Sequence, residues 1–188
     1  MPDDHDPRPV TAELPMRISL TTPRLQLSPF SLADTEELHG LFSDPLTHTI
    51  GSGPFTSISQ TQQWILNRVT AMQEHGLCMY ALRERETNAL IGNCGMLKGR
   101  TTYTEPEIGY IIGKTHQGHG YAFEAATAVI DECRAAGIRR AWASIRPHNA
   151  PSRRIAERLG MRAERIDHDD RGPLIFYVID LGRETELA

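Results

Sequence analysis

The stretch that most restricts the fold runs from Glu107 to Gly137. Glu107-Ile-Gly-Tyr-Ile-Ile112 reads as a strand, and Tyr121 to Ala136 as the longest helix of the chain. Ala122, Ala126, Val129, Ile130 and Cys133 form the apolar stripe of that helix, and Gly137 closes it. Between strand and helix lies Gln117-Gly-His-Gly-Tyr-Ala122. Glycines at such a junction let the backbone turn its N–H groups inward and leave nothing to block a close approach. The helix adds unpaired N–H groups and the positive end of its dipole. Together they make a phosphate cradle.

Two nucleotide-binding readings of this turn lack their residues. A dinucleotide fingerprint needs a third glycine where the chain has Phe123, and an acidic residue ending the next strand. Ala143-Ser-Ile-Arg146 offers none. The Lys-Ser/Thr pair of a nucleotide P-loop is also missing.

The rest of the chain supplies a sheet for this unit. Leu25 to Phe30 alternates like a short strand and ends in a proline turn, followed by a helix from Ser31 to Phe42. A second helix spans Gln60 to Gln73, with Gly76 as its break. Cys78–Leu82 and Ala89–Leu97 flank a polar turn and read as a hairpin. After the long helix come a strand at Arg140–Ile145, a short helix at Ser152–Leu159, and strands at Met161–Ile166 and Leu174–Ile179. Hairpins first and helical crossovers later imply an α/β (α+β) class: one mixed, mostly antiparallel central sheet with helices on both faces.

Charge and composition narrow the partners. With 24 acidic against 20 basic side chains, the net charge of −4 argues against nucleic acid. No apolar run approaches the roughly 20 residues of a membrane span. The polar, proline-rich start (Met1 to Pro9) has no secretory core, so residues 1–17 read as a disordered or extended lead-in and 18–183 as one domain. Cys78, Cys94 and Cys133 are far apart and odd in number, which fits buried thiols in a reducing cytoplasm. His39, His48, His75 and His116 show no paired ligand spacing, so no metal is expected.

Four motifs in order carry a resemblance over about Leu20 to Leu181. They are Thr22-Pro-Arg-Leu-Gln-Leu27, Asp44-Pro45 after the first helix, Glu107-Ile-Gly-Tyr110, and Asn149-Ala-Pro-Ser152 continuing to Leu159-Gly-Met161. With the glycine turn, where Gln117, Gly120 and Ala122 match the pattern Gln/Arg-x-x-Gly-x-Gly/Ala, the chain resembles the GNAT superfamily of acyl-CoA N-acyltransferases. It is most similar to the ribosomal-protein-alanine and small-amine N-acetyltransferase branch.

The resemblance implies a GNAT-like fold and an enzyme that uses acetyl-CoA, without a metal, to acetylate a primary amine. A protein N-terminus and a small-molecule amine are both open as acceptor. By the same resemblance, pantetheine lies along the main chain of Ile111, Ile112 and Gly113. Gln117, Gly118, His119, Gly120, Tyr121 and Ala122 form the pyrophosphate loop. Asn149 meets the pantetheine arm, although a helix N-cap before Pro151 is the other role for it. Arg154, and Arg153 beside it, are placed to reach coenzyme phosphates. Ser152 stands near the thioester sulfur, and Ala156 replaces a tyrosine used by many members.

An amine must shed a proton before it attacks, and Glu107 is the candidate base because its strand flanks the expected thioester. The acidic segment Asp167-His-Asp-Asp-Arg171 reads as the join between the last strands, either a polar turn or an attractant for a cationic acceptor. A non-catalytic CoA-binding sensor of the same fold is the alternative function. The acceptor's identity is not written in the sequence, and a homodimer is left open.

Overall fold

The computed structural model describes residues 15–47 and 53–182. Its strands are β1 (Leu20–Thr21), β2 (Leu25–Pro29), β3 (Met79–Glu84), β4 (Leu90–Leu97), β5 (Glu107–Ile112), β6 (Arg140–Ile145), β7 (Arg162–Asp169) and β8 (Gly172–Asp180). The helices are α1 (Thr35–Phe42), α2 (Ile58–His75), α3 (Tyr121–Ala135) and α4 (Ala150–Arg158). One eight-stranded sheet has the order β1-β2-β3-β4-β5-β6-β8-β7. Every neighbour is antiparallel except β5 and β6.

Strand periodicity sorts the core into two layers. On β3, Tyr80 and Leu82 face the side covered by α3, where Ala125, Ala126, Val129, Ile130 and Cys133 pack. Met79 and Ala81 face the other side, beneath Leu38 and Phe42 of α1 and Ile65 of α2. Trp64 closes that second layer edge-on against Phe42 and Phe30, with ring centroids 5.0 and 5.2 Å apart. Helices therefore cover both faces, as the pattern implied.

The local signals act as expected at the helix ends. Ser57 and Gln60 form a capping box that starts α2, and Gly76 ends it with a φ of 69°. At 18 residues against 15, α2 rather than α3 is the longest helix. Its polar, exposed outer turns hid its full length from an apolar-stripe reading. The last hairpin also differs: β7 runs through Asp169, so Asp167 and Asp169 are strand residues and only the tip is turn.

Of the lead-in read over residues 1–17, residues 1–14 lie outside the described ones. Met16 is 3% exposed and packs in the core, and its amide donates to the carbonyl of Gly76. Arg17 pairs through its amide (2.7 Å) and Nε (2.5 Å) with the buried Glu132 of α3. Packed chain thus begins ahead of residue 18. The three cysteines are free and buried, and burial pushes Cys78 and Cys133 up to about 12. No helix among the described residues is long and apolar enough to cross a membrane.

Candidate active site

Strands β5 and β6 are parallel neighbours that pair at a single register, Glu107 opposite Trp142, anchored by the Trp142 amide on the carbonyl of Pro106 (2.9 Å). Beyond that point they part. β6 stays paired to β8 along its length and β5 to β4, so the split leaves backbone edges without ladder partners. Two clefts meet there, and Tyr110, Ile111, Arg146, Asn149 and Ser152 line both.

The larger cleft, about 700 Å³, lies between the end of β5, the start of α3 and α4. Gly118 and Gly120 hold φ values of 83° and 82°, a left-handed backbone that L side chains avoid. Among the described residues, the amides of Gly118 through Phe123 find no backbone acceptor. Arg146, Arg154, Arg158, His116 and His148 line the cleft, and among the described residues no carboxylate does. Free amides at a helix start within a cationic wall suit a polyanion.

The N-terminal motif braces this loop. Glu124, in the first turn of α3, accepts from the Thr22 hydroxyl (2.6 Å), the Arg24 amide (2.9 Å) and Arg24 Nε (2.7 Å). Arg24 also donates to the carbonyl of His119 (2.9 Å) and lies over the ring of Tyr121. These hydrogen bonds, despite partial burial, hold the Glu124 carboxyl below its ordinary value.

The smaller cleft, about 300 Å³, opens on the opposite side of the split under α2 and the segment after β4. Glu107 lines it and is 5% exposed. Its carboxylate accepts from the Ser144 hydroxyl at 2.6 Å and from the Arg100 amide. Gly99 passes so close to this carboxylate that a Cβ there would lie 2.5 Å from its Cδ. The space over Gly109 is partly filled by Leu97, not left open. Arg146 is locked by a two-pronged contact with Asp169 (2.7 and 2.6 Å), to which Arg100 adds a third hydrogen bond at 3.0 Å. The Arg146 hydrogen bonds, then the Arg171 amide, hold the Asp169 carboxyl well below the usual range.

Ile111, Ile112, Gln117, Gly118, Gly120, Tyr121, Ala122, Asn149, Ser152 and Arg154 all line the larger cleft. Gly113 and His119 do not: the Gly113 amide bonds the carbonyl of Ile91, and a Cβ there would strike Leu41. Gln117 turns its amide back onto the carbonyl of Ile112 (2.9 Å), tying off the strand end. Asn149 caps α4 by accepting from the Ser152 amide (3.2 Å), so the cap and a place in the cleft hold at once. Arg153 is directed to Tyr177 and the carbonyl of Pro147, away from the cleft. Ala156 is 1% exposed and belongs to the core.

Tyr110 and Arg146 are residues the sequence reading passed over. The Tyr110 hydroxyl donates to the carbonyl of Ser152 (3.3 Å), and burial pushes the phenol up to about 12. Its signal was its place in the Glu-Ile-Gly-Tyr motif. Arg146 had a weaker one, a cation directly after an apolar strand. No group of metal-ligating side chains occurs among the described residues, and His48 lies outside them.

Residues 24–162 match the family described as "Acetyltransferase (GNAT) domain". An uncharacterized N-acetyltransferase p20 of Bacillus licheniformis is 31% identical over 80% of this chain and 86% of its own length. A GNAT-family acetyltransferase from Bordetella pertussis, known by its structure, superposes with a TM-score of 0.75 at 25% identity, covering 86% of this chain and 99% of that one. The ribosomal L7/L12 alpha-N-protein acetyltransferase RimL, solved in complex with coenzyme A, shares the fold with a TM-score of 0.77 at 18% identity over 87% of this chain and 98% of its own. The split sheet and braced glycine turn therefore sit in a chain that belongs to the GNAT family, and the protein is an N-acetyltransferase.

Proposed function

We propose that the chain moves an acetyl group from acetyl-CoA to a primary amine, on a small molecule or a protein N-terminus, by direct attack on the thioester. The observation that carries this is the junction of the two clefts at the β5–β6 split. One side offers cations and free amides for the coenzyme's phosphates, and the other a buried carboxylate for an amine. RimL, with the same fold, binds coenzyme A. A cytoplasmic setting with reduced thiols belongs to the same reading.

In this reading the Gly118–Ala122 amides, with Arg154, hold the pyrophosphate, and the free edge of β5 at Ile111 and Ile112 receives the pantetheine arm. Glu107 takes the amine's proton, directly or through water, as the nitrogen bonds to the thioester carbonyl carbon. The carbon–sulfur bond then breaks, and Ser152 passes its hydroxyl proton to the departing sulfur and regains one from water, while Glu107 releases the amine's proton to solvent. The products are an amide and free coenzyme A. Holding amine and thioester together at the split supplies much of the acceleration.

The test is a thermal-shift titration with acetyl-CoA, followed by thiol release over an amine panel. A native-state ligand raises the melting temperature by mass action. A folded sample with no shift at saturating acetyl-CoA ends this reading. A shift with no thiol released by any amine leaves the non-catalytic sensor.

A further inference from the structure

Among the described residues, two buried side-chain nitrogens lack a hydrogen-bond partner, Arg68 Nε and Asn93 Nδ2. Both residues line the smaller cleft. Asn93 is 2% exposed on β4, a polar side chain in a strand whose neighbours are otherwise apolar or glycine. Buried donors are nearly always paired in native proteins, because an unmade hydrogen bond keeps its full desolvation cost. Two orphans in one cleft wall, both donors, point to an acceptor that arrives with the substrate.

The charges of the cleft sharpen this. Of its three arginines, Arg100 and Arg146 share the single carboxylate of Asp169, which holds both in place. Arg68 has no carboxylate within ion-pair distance among the described residues. It lies over the Trp64 ring, 5.2 Å from the centroid. Burial pulls the guanidinium below its ordinary value, the mark of a cation short of a counter-ion. At the acidic strand end, Asp167 pairs with Arg165 and Asp169 with the two arginines.

We infer that the acceptor is a small amine that also bears a carboxylate, its amine directed to Glu107 and its carboxylate held by Arg68 and Asn93. This deepens the acetyl-transfer reading and rests on it. A cleft of about 300 Å³ suits an amino-acid-sized molecule. A carboxylate meets both needs of the wall, a negative charge for Arg68 and acceptor oxygens for both donors.

The experiment compares amino acids with their own carboxamides and decarboxylated amines, by steady-state thiol release with acetyl-CoA. For the best acceptor, kcat/KM of the acid exceeds that of its amide by at least about tenfold, mostly through KM. Arg68→Gln brings that ratio close to unity, Arg68→Lys restores part of it, and Asn93→Asp inverts it by repelling the carboxylate. Calorimetric titration of the coenzyme A-loaded protein with the acid and its amide gives the same order without turnover. Equal kcat/KM for acid and amide, or a polyamine as the best acceptor, overturns this inference and leaves acetyl transfer standing. An acid preference that survives Arg68→Gln in a folded variant also overturns it. No thermal shift with acetyl-CoA and no thiol release takes down both readings.

Discussion

The hydroxyl of Ser144 donates to Oε2 of Glu107 across 2.6 Å, bridging β6 and β5 where the two strands part. With the Arg100 amide on the other oxygen, the carboxylate is held from two sides at the floor of the smaller cleft. In the proposed reaction a base so held keeps its aim, and substitution there would disturb both chemistry and scaffold.

Glu107→Gln separates the two. The amide side chain has one acceptor oxygen for two donors, so one donor is orphaned at a cost of about 1–3 kcal/mol. A lower melting temperature is therefore expected under any role. The catalytic role shows in the pH–rate profile: turnover falls most at neutral pH and partly recovers at higher pH, where more of the amine is already neutral. A profile of wild-type shape returns Glu107 to the scaffold.

Gly120→Val acts through backbone and space together. Position 120 sits at a φ of 82°, where a β-branched residue is strained by about 1–3 kcal/mol, and a Cβ there meets Nη2 of Arg24, the brace of the loop, at 3.6 Å. Coenzyme affinity falls by at least about tenfold, a loss of about 1.4 kcal/mol or more. Calorimetry on Gly120→Ala, a milder change, tracks the same direction. Unchanged affinity in folded variants of both moves the phosphate site elsewhere.

Ser152→Ala lowers turnover by about 10²-fold, the low end for general acid help to a readily leaving thiol, with coenzyme affinity kept. The carbonyl of Ser152 accepts from the Tyr110 phenol, a second proton donor in both clefts. Single-turnover rates distinguish them. Full activity in Ser152→Ala with loss in Tyr110→Phe assigns the proton to the phenol.

Arg17→Ala tests the brace between the start of the packed chain and α3. Glu132 is 2% exposed and accepts from both the amide and Nε of Arg17. Losing the side chain leaves a buried carboxylate with the amide alone, and urea denaturation shows a destabilisation of about 1.5–3 kcal/mol. A midpoint equal to the wild type means the carboxylate finds another partner.

What the sequence determined is what local chemistry carries. Alternating Leu25 and Leu27, the stripe from Ala126 to Cys133, the Ser57–Gln60 cap and the glycines at 118 and 120 each fix backbone shape within a few residues. Elements, their order and the glycine turn were therefore legible, and Asn149 and Ser152 line the cleft beside that turn.

Partnerships across the chain were left to the tertiary structure, because a hydrogen bond between distant residues leaves no periodic trace. Thr22 and Arg24 read as a motif without a task until α3 placed Glu124 beside them, 100 and more positions away. Likewise the acidic segment at 167–171 read as either a polar turn or an attractant for a cation, and only the folded chain brought Arg146 and Arg100 onto Asp169. Arg68 and Asn93 come from a helix and a strand on different layers, and only packing puts their unpaired donors in one wall. Pattern along the chain sets which elements form; the site is decided by which side chains those elements leave facing each other when the apolar faces close.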